Sequence, residues 1–374
     1  MTIGTEHEYS INDRNFNPLP ISDVILSKIA GSVKNEVSFG EVTLSKELQK
    51  TVLEFIPDHP GDSLFELERQ IYSGIRRFYL QFGDRYHLLG LGMHPTLTLD
   101  KTAVWNHDEK EYYEVYDRLF NIRQHGWLNI QALQVNLSYS NDEELIYLYN
   151  RIRSLLPYLI AVSASSPFVE GKVTGSMDNR LLFYRKNQKE IPQICNRIIP
   201  ETISEVNDYL ENQQEIFREL ENRDAHILRK EWLNSSGLII RFSRGCVEVK
   251  AIDEQECVRS DMAVCAFLMA LVRARDVPVE TDRDILLDLT ELAIKKGTRA
   301  LQPELERLLS GARDAATNEE KKFLQIIEDR IIHGSIAERM QDRFKDTGDM
   351  LEIMVSMEKA LRSNQPYTCH QMKR

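Results

Sequence analysis

Cysteine is scarce in this 374-residue chain, and its five cysteines are an odd number without a Cys-x-x-Cys pair. They are Cys195, Cys246, Cys257, Cys265 and Cys369. A disulfide framework and a thiolate zinc site both depend on suitably spaced pairs of cysteines. The sequence therefore argues against both, and we expect a protein of the reducing cytoplasm.

Long apolar segments are also missing. The longest apolar run lies between Asp261 and Arg273 and is too short to span a bilayer. The first ten residues, MTIGTEHEYS, include two glutamates and no apolar stretch, so a secretory signal is not expected. The sequence thus predicts no association with a membrane.

The chain has no excess of positive charge, since it contains 58 acidic and 47 basic residues and has a net charge of −11. An acidic surface repels polyanions, so nucleic acid is not an expected partner. Such a protein can still bind a nucleotide when metal ions supply the positive charge. With 42% hydrophobic and 28% charged residues, the chain is expected to fold around a large core.

Two common catalytic motifs are absent from the sequence. It has no G-x-S-x-G nucleophile motif and no G-x-x-x-x-G-K-[ST] phosphate-binding loop. Covalent chemistry through an activated serine and nucleotide binding by a P-loop are therefore not supported. Any chemistry must come from other polar residues, of which the sequence has several groups.

The hydrophobic pattern changes near residue 255. Before it, alternating or β-rich runs predict strands over residues 1–11, 36–46, 51–56, 87–93 and 130–139 and a hairpin over 237–252. Amphipathic segments predict helices over residues 21–31, 63–82, 110–124, 141–163 and much of 200–231. After Glu256 the pattern predicts helices over residues 258–273, 282–296, 301–311, 318–345 and 349–363. We therefore predict an α+β core of residues 1–255 and a helical region, residues 256–374, packed on it.

Two segments of this pattern are unusual. Pro157 cannot donate an N–H within the helix predicted over 141–163, so we expect a kink or a break there. Residues 163–185 contain several Gly, Ser and Pro residues and are predicted to form a loop region. A long loop in a compact domain is more often functional than idle.

The first strand carries two carboxylates on one face. Glu6 and Glu8 are alternate residues, so their Cα atoms lie roughly 6.5–7 Å apart on the same side of a strand. Two bare carboxylates at this spacing repel each other, and a divalent cation removes the repulsion. The spacing favours metal binding, and the alternative is a face that is simply solvated.

A second pair of charged residues lies in the predicted hairpin. Glu248 and Lys250 share one face of the run CVEVKAID, so an acid and a base stand side by side. The alternative is an ion pair on an exposed sheet face. Glu54, in the run TVLEFIP, is a further candidate acid, and Glu47 converges with it only if a loop or bulge lies between them.

A third group is polar but uncharged. Gln134, Asn136 and Ser138 share one face of the strand predicted over 130–139, whose other face is aliphatic. Amides offer both donors and acceptors, which suits ligand recognition, although an ordinary solvent-exposed face has the same pattern. The aromatic residues of the helix predicted over 110–124 also fall on one face.

The predicted loop is followed by two arginines. Residues 165–175 include Lys172, and Arg180 and Arg185 come shortly after. Arginine binds phosphate or carboxylate bidentately, so this segment can close on an anion, and the alternative is a surface turn. His94, just before Pro95, is more often a packed or capping residue than a ligand.

Five of these segments resemble the glutamate–cysteine ligase type 2 family, which includes plant and proteobacterial glutamate–cysteine ligases and bacterial carboxylate–amine ligases. They are IGTEHE at 3–8, LGLGMHP at 89–95, QVNL at 134–137, ASSPFVEGK at 164–172 with Gly175 and Arg180, and VEVKAID at 247–253. The segments stand in the same order as in the family. The resemblance covers about residues 3–253.

The resemblance implies a glutamine-synthetase-like fold, in which an antiparallel sheet curves around the active site and carries helices on its outer face. It implies an ATP-dependent ligase that joins the γ-carboxylate of glutamate to the amine of cysteine through an acyl phosphate. The implied cofactors are ATP and Mg²⁺, and the implied partners are small molecules, namely an amino acid, an amine and ATP.

The resemblance also assigns roles to residues. The implied metal ligands are Glu6, Glu8, Glu54 and Glu248. The implied phosphate contacts are Lys250, Arg241 and Arg244. The implied contacts of the amino-acid substrate are Gln134, Asn136 and Arg180, and Lys250 and Arg180 are the implied catalytic residues.

Three departures from the family pattern leave alternatives open. Lys250 stands where the family has arginine, Ser138 stands where the plant enzymes have aspartate, and no glycine-rich stretch separates Glu47 from Glu54. A glutamate ligase for another amine and an inactive Mg·ATP-binding regulator are the main alternatives, and a guanidino kinase is a third. The helical C-terminal region has no recognisable motif. It is expected to cover the sheet, to form the contact of a homo-oligomer, or both.

Overall fold

The computed structural model describes residues 1–195 and 198–368, which form one large sheet, a short hairpin and a set of helices. The strands are β1 (Ile3–Asn12), β2 (Glu36–Ser38), β3 (Val42–Lys46), β4 (Val52–Pro57), β5 (His87–Leu89), β6 (Ala132–Ser138), β7 (Phe168–Val169), β8 (Lys172–Val173), β9 (Leu238–Arg241) and β10 (Cys246–Asp253). The helices of the first 255 residues are α1 (Ser22–Ala30), α2 (Leu64–Phe82), α3 (Lys110–Phe120), α4 (His125–Leu128), α5 (Asp142–Ser163), α6 (Asn179–Tyr184) and α7 (Val206–Glu221). The helices that follow are α8 (Val258–Arg273), α9 (Arg283–Lys296), α10 (Gln302–Ala315), α11 (Glu320–His333), α12 (Ile336–Thr347) and α13 (Met350–Ser363).

The large sheet has eight strands and is antiparallel throughout. Its order is β2-β3-β4-β1-β6-β10-β9, and β5 pairs with the end of β1. The sheet is open, since β2 and β9 lie at its two edges. The predicted fold class is confirmed: an antiparallel sheet with helices on its outer face precedes a helical C-terminal region.

The outer face of the sheet is apolar because side chains alternate along each strand. Ile3, Leu133 and Val249 belong to one buried cluster with the side chains of α5 and α8. On the other half of the sheet, Tyr9 and Phe55 pack with residues of α1 and α2 in a second cluster. Helices thus cover one face of the sheet, and the polar face is left for a site.

The C-terminal helices extend the same core. Nearly every residue of α8 is buried, and this helix contacts α2, α5 and α11. Side chains of α10 and α11 belong to the cluster that contains the outer face of the sheet. The core therefore continues across residue 255, and the domain boundary expected there stays a prediction. No helix among the described residues is both long enough and apolar enough to cross a membrane.

Several predicted elements differ from the structure. The helix predicted over 141–163 passes through the buried Pro157 without a break, and a kink there stays a prediction. The segment predicted as one helix over 318–345 is two helices, separated where Gly334 has a φ of 96° and Ser335 caps α12. The loop predicted over 163–185 contains the β7–β8 hairpin and α6. The strand predicted over 87–93 has three residues.

The four cysteines in the described residues are buried free thiols, as the sequence predicts. They are Cys195, Cys246, Cys257 and Cys265. Cys369 lies outside the described residues.

A buried ion pair joins the helical region to the sheet. Arg330 of α11 donates to Glu256, which follows β10, over 2.9 Å, and both side chains are almost completely buried. The same guanidinium donates to Val162 O over 3.0 Å and to Gln255 Oε1 over 2.5 Å. A buried carboxylate is tolerated only when a cation and hydrogen bonds compensate its lost hydration.

We therefore expect Arg330→Met to lower the free energy of unfolding by about 3–5 kcal/mol, because it leaves the buried Glu256 without a cation. The matched control is Arg313→Met, since Arg313 pairs with Glu328 over 2.6 Å with both side chains about half exposed. That change should cost less than about 1 kcal/mol. Chemical denaturation measures both, and equal losses would contradict the role of the buried pair.

Candidate active site

The register of the central strands brings the predicted acids together. Glu8 of β1 stands opposite Glu54 of β4, and Glu6 stands opposite Gln134 of β6. Glu248 of β10 stands opposite Asn136. Residues that are directly opposite in an antiparallel pair point to the same face. All of these side chains therefore lie on the polar face of the sheet.

This face forms the floor of a cavity of about 530 Å³. The carboxylates that line it are Glu6, Glu8, Glu47, Glu54, Glu109 and Glu248. The cations that line it are Lys46, Lys230, Arg241, Arg244 and Lys250. A larger groove of about 850 Å³ lies between α2, α5, α8 and α11, but it does not contain the residues singled out from the sequence.

The deepest acids form a compact cluster. Carboxylate oxygens of Glu8, Glu47 and Glu54, one from each residue, all lie within 4.8 Å of one another. Glu47 reaches the cluster because it follows the last residue of β3 and a turn returns the chain into β4. The chain reversal that Glu47 and Glu54 need in order to converge is thus present. In the described parts of the chain, no Lys, Arg or His forms an ion pair with these three carboxylates.

The other two acids of the floor are paired with cations. Arg244 donates to Glu6 Oε1 over 2.5 Å, and Arg241 donates to Glu248 Oε2 over 2.5 Å. The Nζ of Lys250 lies 3.8 Å from Glu248 Oε1, and this oxygen is buried without a hydrogen bond from any described residue. The three cations predicted from the sequence thus line the same cavity as the acids.

The two predicted amides contact the acids. Gln134 Nε2 donates to Glu8 Oε1 over 3.0 Å, and the N–H of Ala132 donates to Glu8 Oε2 over 2.9 Å. Asn136 Nδ2 donates to Glu6 Oε1 over 3.2 Å. In this structure both amides orient carboxylates, and their expected contact with a substrate stays a prediction.

Arg180 is not among the residues that line the cavity. It is buried, donates from Nε to Asp253 over 2.6 Å, and donates from Nη1 to Lys250 O over 3.1 Å. Its Nη2 is buried without a hydrogen-bond partner among the described residues. A methyl group on Gly92 would lie 2.2–2.4 Å from the Asp253 carboxyl group, so only glycine leaves room for this pair. The role of Arg180 toward a substrate stays a prediction.

The loop and histidine singled out from the sequence lie away from the floor. Ser166 of the loop donates to Asp253 over 2.8 Å and so helps to hold the partner of Arg180. Arg185 forms an ion pair with Glu291 of α9. His94 is fully buried, and burial lowers the pKa of its imidazole to about 4. It is a packed, neutral histidine, which is the alternative that the sequence favoured over a ligand.

An aromatic wall faces the acidic floor, and the sequence interpretation did not assign it to the site. It consists of Tyr112, Tyr113 and Tyr116 of α3, Trp127 of α4 and Trp232 of the 3-10 turn Glu231–Leu233. All of these rings except that of Tyr113 contact another ring of the wall, with centroids 5.0 Å apart for Tyr116 and Trp127 and 5.7 Å apart for Tyr112 and Trp232. The aromatic face of α3 was the available signal, but it does not show which surface that face covers.

On the opposite face of the sheet, β1 is anchored by a buried charged cluster. His7 Nδ1 lies 3.4 Å from Glu254 and 3.3 Å from Asp261, and Glu254 also accepts the N–H of Glu8 over 3.1 Å. Burial disfavours the imidazolium, but the two carboxylates outweigh it and raise the pKa of His7 to about 10. This cluster fixes the backbone that carries Glu6 and Glu8.

Comparison with known proteins shows the family of this chain. Residues 2–356 match the model of glutamate–cysteine ligase family 2. The chain belongs to this family. The match takes in every predicted site residue and most of the helical region.

Three proteins are similar to this chain, one in sequence and two in fold. An uncharacterized protein of Archaeoglobus fulgidus is 46% identical over 369 residues, which are 98% of this chain and all of that protein. The glutamate–cysteine ligase of Francisella tularensis, solved in complex with AMP, shares the fold with a TM-score of 0.66 and 12% identity, over 97% of this chain and 89% of that one. A bifunctional glutathione synthetase from Pasteurella multocida matches with a TM-score of 0.65 and 14% identity. The match covers 97% of this chain but only 52% of that larger protein.

In this chain, the pKa values of the three clustered carboxyl groups are raised. Burial and the nearby charge of Glu47 raise the pKa of Glu8 from 4.5 to about 8. Burial, Glu6 and Glu47 raise the pKa of Glu54 well above its ordinary value. Burial also raises the pKa of Glu47. Glu8 therefore holds a proton at neutral pH when no cation is bound.

The raised pKa of Glu8 predicts a pH-dependent effect on stability. Between pH 4.5 and 8, the folded protein keeps a proton that the unfolded chain has lost, so stability falls as the pH rises. Glu8→Gln removes this term. In the presence of a chelator, its free energy of unfolding relative to wild type should increase by more than about 1 kcal/mol from pH 5 to pH 8.

The control is Glu215→Gln, which removes an exposed carboxylate on α7. Its difference from wild type should stay flat over the same pH range. Denaturant unfolding at several pH values measures both variants. A difference between Glu8→Gln and wild type that does not change with pH would contradict the perturbed cluster.

Proposed function

We propose that this protein is an ATP-dependent carboxylate–amine ligase that joins the γ-carboxylate of glutamate to an amine, with cysteine as the first candidate. The observation that carries the proposal is the floor of one cavity, where five glutamates and three cations meet. The floor acids are Glu6, Glu8, Glu47, Glu54 and Glu248. Membership in the family and the shared fold of the neighbours agree with this reaction class.

The donor set of the floor fits Mg²⁺. This ion prefers carboxylate oxygens, and Glu8, Glu47 and Glu54 offer three that lack a cationic partner among the described residues. Glu248 offers a further buried oxygen without a hydrogen bond. We propose these residues and Glu6 as the metal ligands, with Glu47 added to the set that the sequence resemblance implied. When bound, Mg²⁺ would neutralise the phosphates of ATP and draw charge away from the group in transfer.

The reaction needs charge neutralisation more than it needs a protein nucleophile. An oxygen of the substrate carboxylate attacks the γ-phosphorus and ADP leaves. The amine then attacks the acyl carbon, phosphate leaves with the electron pair of the C–O bond, the nitrogen gives up a proton to the departing phosphate, and an amide remains. Lys250, Arg241 and Arg244 would offset negative charge on the phosphates during these steps.

The protein contributes shielding as well as charge. An acyl phosphate hydrolyses when water reaches it, so a ligase must exclude water from the site. The aromatic wall is well suited to do this, because its apolar rings line the same cavity as the acids. We propose that Arg180, Gln134 and Asn136 lie at the end of the site that receives the amino acid. The buried Nη2 of Arg180, which lacks a partner among the described residues, supports this part of the proposal.

The direct test is incubation with Mg·ATP, glutamate and a panel of amines that includes cysteine, followed by mass spectrometry. We expect a γ-glutamyl amide and an equal amount of phosphate. Glu54→Gln, which removes one charge from the deepest cluster, should lower product formation by at least about 100-fold. A product with another amine would change the substrate and keep the reaction class.

Two results would overturn the reaction class. Binding of Mg·ATP without any product would support the alternative of an inactive regulator. A phosphorylated guanidino compound, detected by its mass, would support a kinase. We place the activity in a reducing cytoplasm, because the described cysteines are free thiols.

A further prediction concerns Lys250. Burial lowers the pKa of its ammonium group, but neighbouring Tyr184 and Glu248 outweigh this effect and raise it, so the group stays charged. Lys250→Met should therefore lower kcat by about 100-fold or more while changing ATP binding less, since a charge on the transferred group develops in the transition state. Lys250→Arg should keep or raise activity. If Lys250→Met retains most of its kcat, Lys250 only pairs with Glu248.

A further inference from the structure

Two of the cavity's arginines occupy carboxylates that the proposed function needs as metal ligands. Arg244 and Arg241 each place an Nη1 at 2.5 Å from a carboxylate oxygen, on Glu6 and Glu248 respectively. Each guanidinium thus holds one oxygen of its carboxylate, Glu6 Oε1 or Glu248 Oε2, through a charge-assisted hydrogen bond. A guanidinium at this distance also repels a divalent cation.

Glu6 and Glu248 differ in this respect from the other three acids of the floor. Glu8, Glu47 and Glu54 have no ion-pair partner in the described residues, and one carboxylate oxygen from each lies within 4.8 Å of the other two. These three acids are thus available to a cation, whereas the arginines hold Glu6 Oε1 and Glu248 Oε2 and leave only Glu248 Oε1 without a hydrogen bond from a described residue. The floor has one open half and one half that is closed by its own arginines.

Each arginine has a structural feature that allows its guanidinium to leave its carboxylate partner. The side chain of Arg244 is about half exposed (49%) and enters the cavity from the 3-10 turn that joins β9 to β10. Arg241 has a second acid nearby, since its Nε lies 3.9 Å from Glu231 and has no hydrogen bond among the described residues. Phosphate oxygens accept the same bidentate bonds from arginine as carboxylates do.

From this geometry we propose that Arg241 and Arg244 exchange partners when the site is loaded. In the empty enzyme they pair with Glu248 and Glu6; in the loaded enzyme they pair with the nucleotide phosphates, and the two glutamates bind metal. The proposal rests on the proposed function for the identity of the ligands. It makes metal and nucleotide binding mutually dependent, because each frees a group that the other needs.

The test measures metal binding alone, with Mn²⁺ as the probe and no nucleotide. Wild-type protein should bind Mn²⁺ weakly at the half of the floor that the arginines close. Arg244→Gln removes the competing charge and should tighten Mn²⁺ binding by at least about tenfold, as calorimetry or the EPR signal of free Mn²⁺ reports. The matched control is Arg69→Gln on α2, which breaks exposed pairs with Glu66 and Glu41 and should leave Mn²⁺ binding unchanged.

The nucleotide supplies the second half of the test. At saturating Mn²⁺, Arg244→Gln should bind a non-hydrolysable ATP analogue at least about fivefold more weakly than wild type, because a phosphate contact is lost. Unchanged or tighter binding of the analogue would overturn the exchange, since the arginine would then only block the metal. Arg244→Lys keeps the positive charge but loses the planar guanidinium. Its affinity for the analogue should lie between those of wild type and Arg244→Gln.

Arg241→Gln gives an independent readout through stability. It leaves Glu248 buried without its guanidinium, so the free protein should be less stable than wild type. Mn²⁺ should then raise its Tm by more than it raises the Tm of wild type, because the metal replaces the lost cation. An equal rise in both proteins would contradict the proposal.

The outcomes separate this inference from the proposed function. If wild type binds Mn²⁺ and Arg244→Gln binds it no more tightly, the exchange is wrong and the metal site remains. If neither protein binds Mn²⁺, and Glu8→Gln is no different, both the exchange and the metal site are wrong. The expected order of Mn²⁺ affinity is Arg244→Gln, then wild type, then Glu8→Gln.

Discussion

The pairing of β1 with β4 on one side and β6 on the other is the constraint on which the rest of the structure depends. It sets Glu8 opposite Glu54 and Glu6 opposite Gln134, so that polar side chains from three strands share one face. A slip of one residue would turn Glu6 and Glu8 toward the helices and His7 toward the cavity. The buried cluster of His7 with Glu254 and Asp261 opposes such a slip, because the imidazolium has its carboxylate partners only in the observed register.

The same strand pairing brings carboxylates close together and so lowers the stability of the fold. Three carboxylates within 4.8 Å of one another destabilise the empty protein, and the core on the other face must offset that cost. The C-terminal helices contribute to this core directly, since α8, α10 and α11 share one apolar cluster with the outer face of the sheet. Their function is thus linked to the site by packing, although they carry no residue of the cavity floor. A cation that enters the cavity relieves the repulsion and so couples binding to stability.

Alternation within strands was enough to predict which side chains share a face, and this holds for Glu6 with Glu8 and for Glu248 with Lys250. The order of five short segments was enough to predict the fold. Contacts that depend on chain reversals were not predictable: Glu47 joins the cluster through the turn between β3 and β4, and Arg180 pairs with Asp253, 73 residues away. The aromatic face of α3 was visible in the sequence, but local periodicity does not show what a face covers. Pro157 did not break its helix because burial overrode the local preference.

The central claim is that the acidic cavity forms an acyl phosphate from a substrate carboxylate and ATP. The most direct measurement uses glutamate labelled with ¹⁸O in its γ-carboxylate, together with Mg·ATP and the amine that gives product. Attack by the carboxylate places one of its oxygens on the γ-phosphorus, so the phosphate released with the amide should carry one ¹⁸O atom. The account predicts one labelled phosphate for each amide formed. Amide formation with unlabelled phosphate would contradict it.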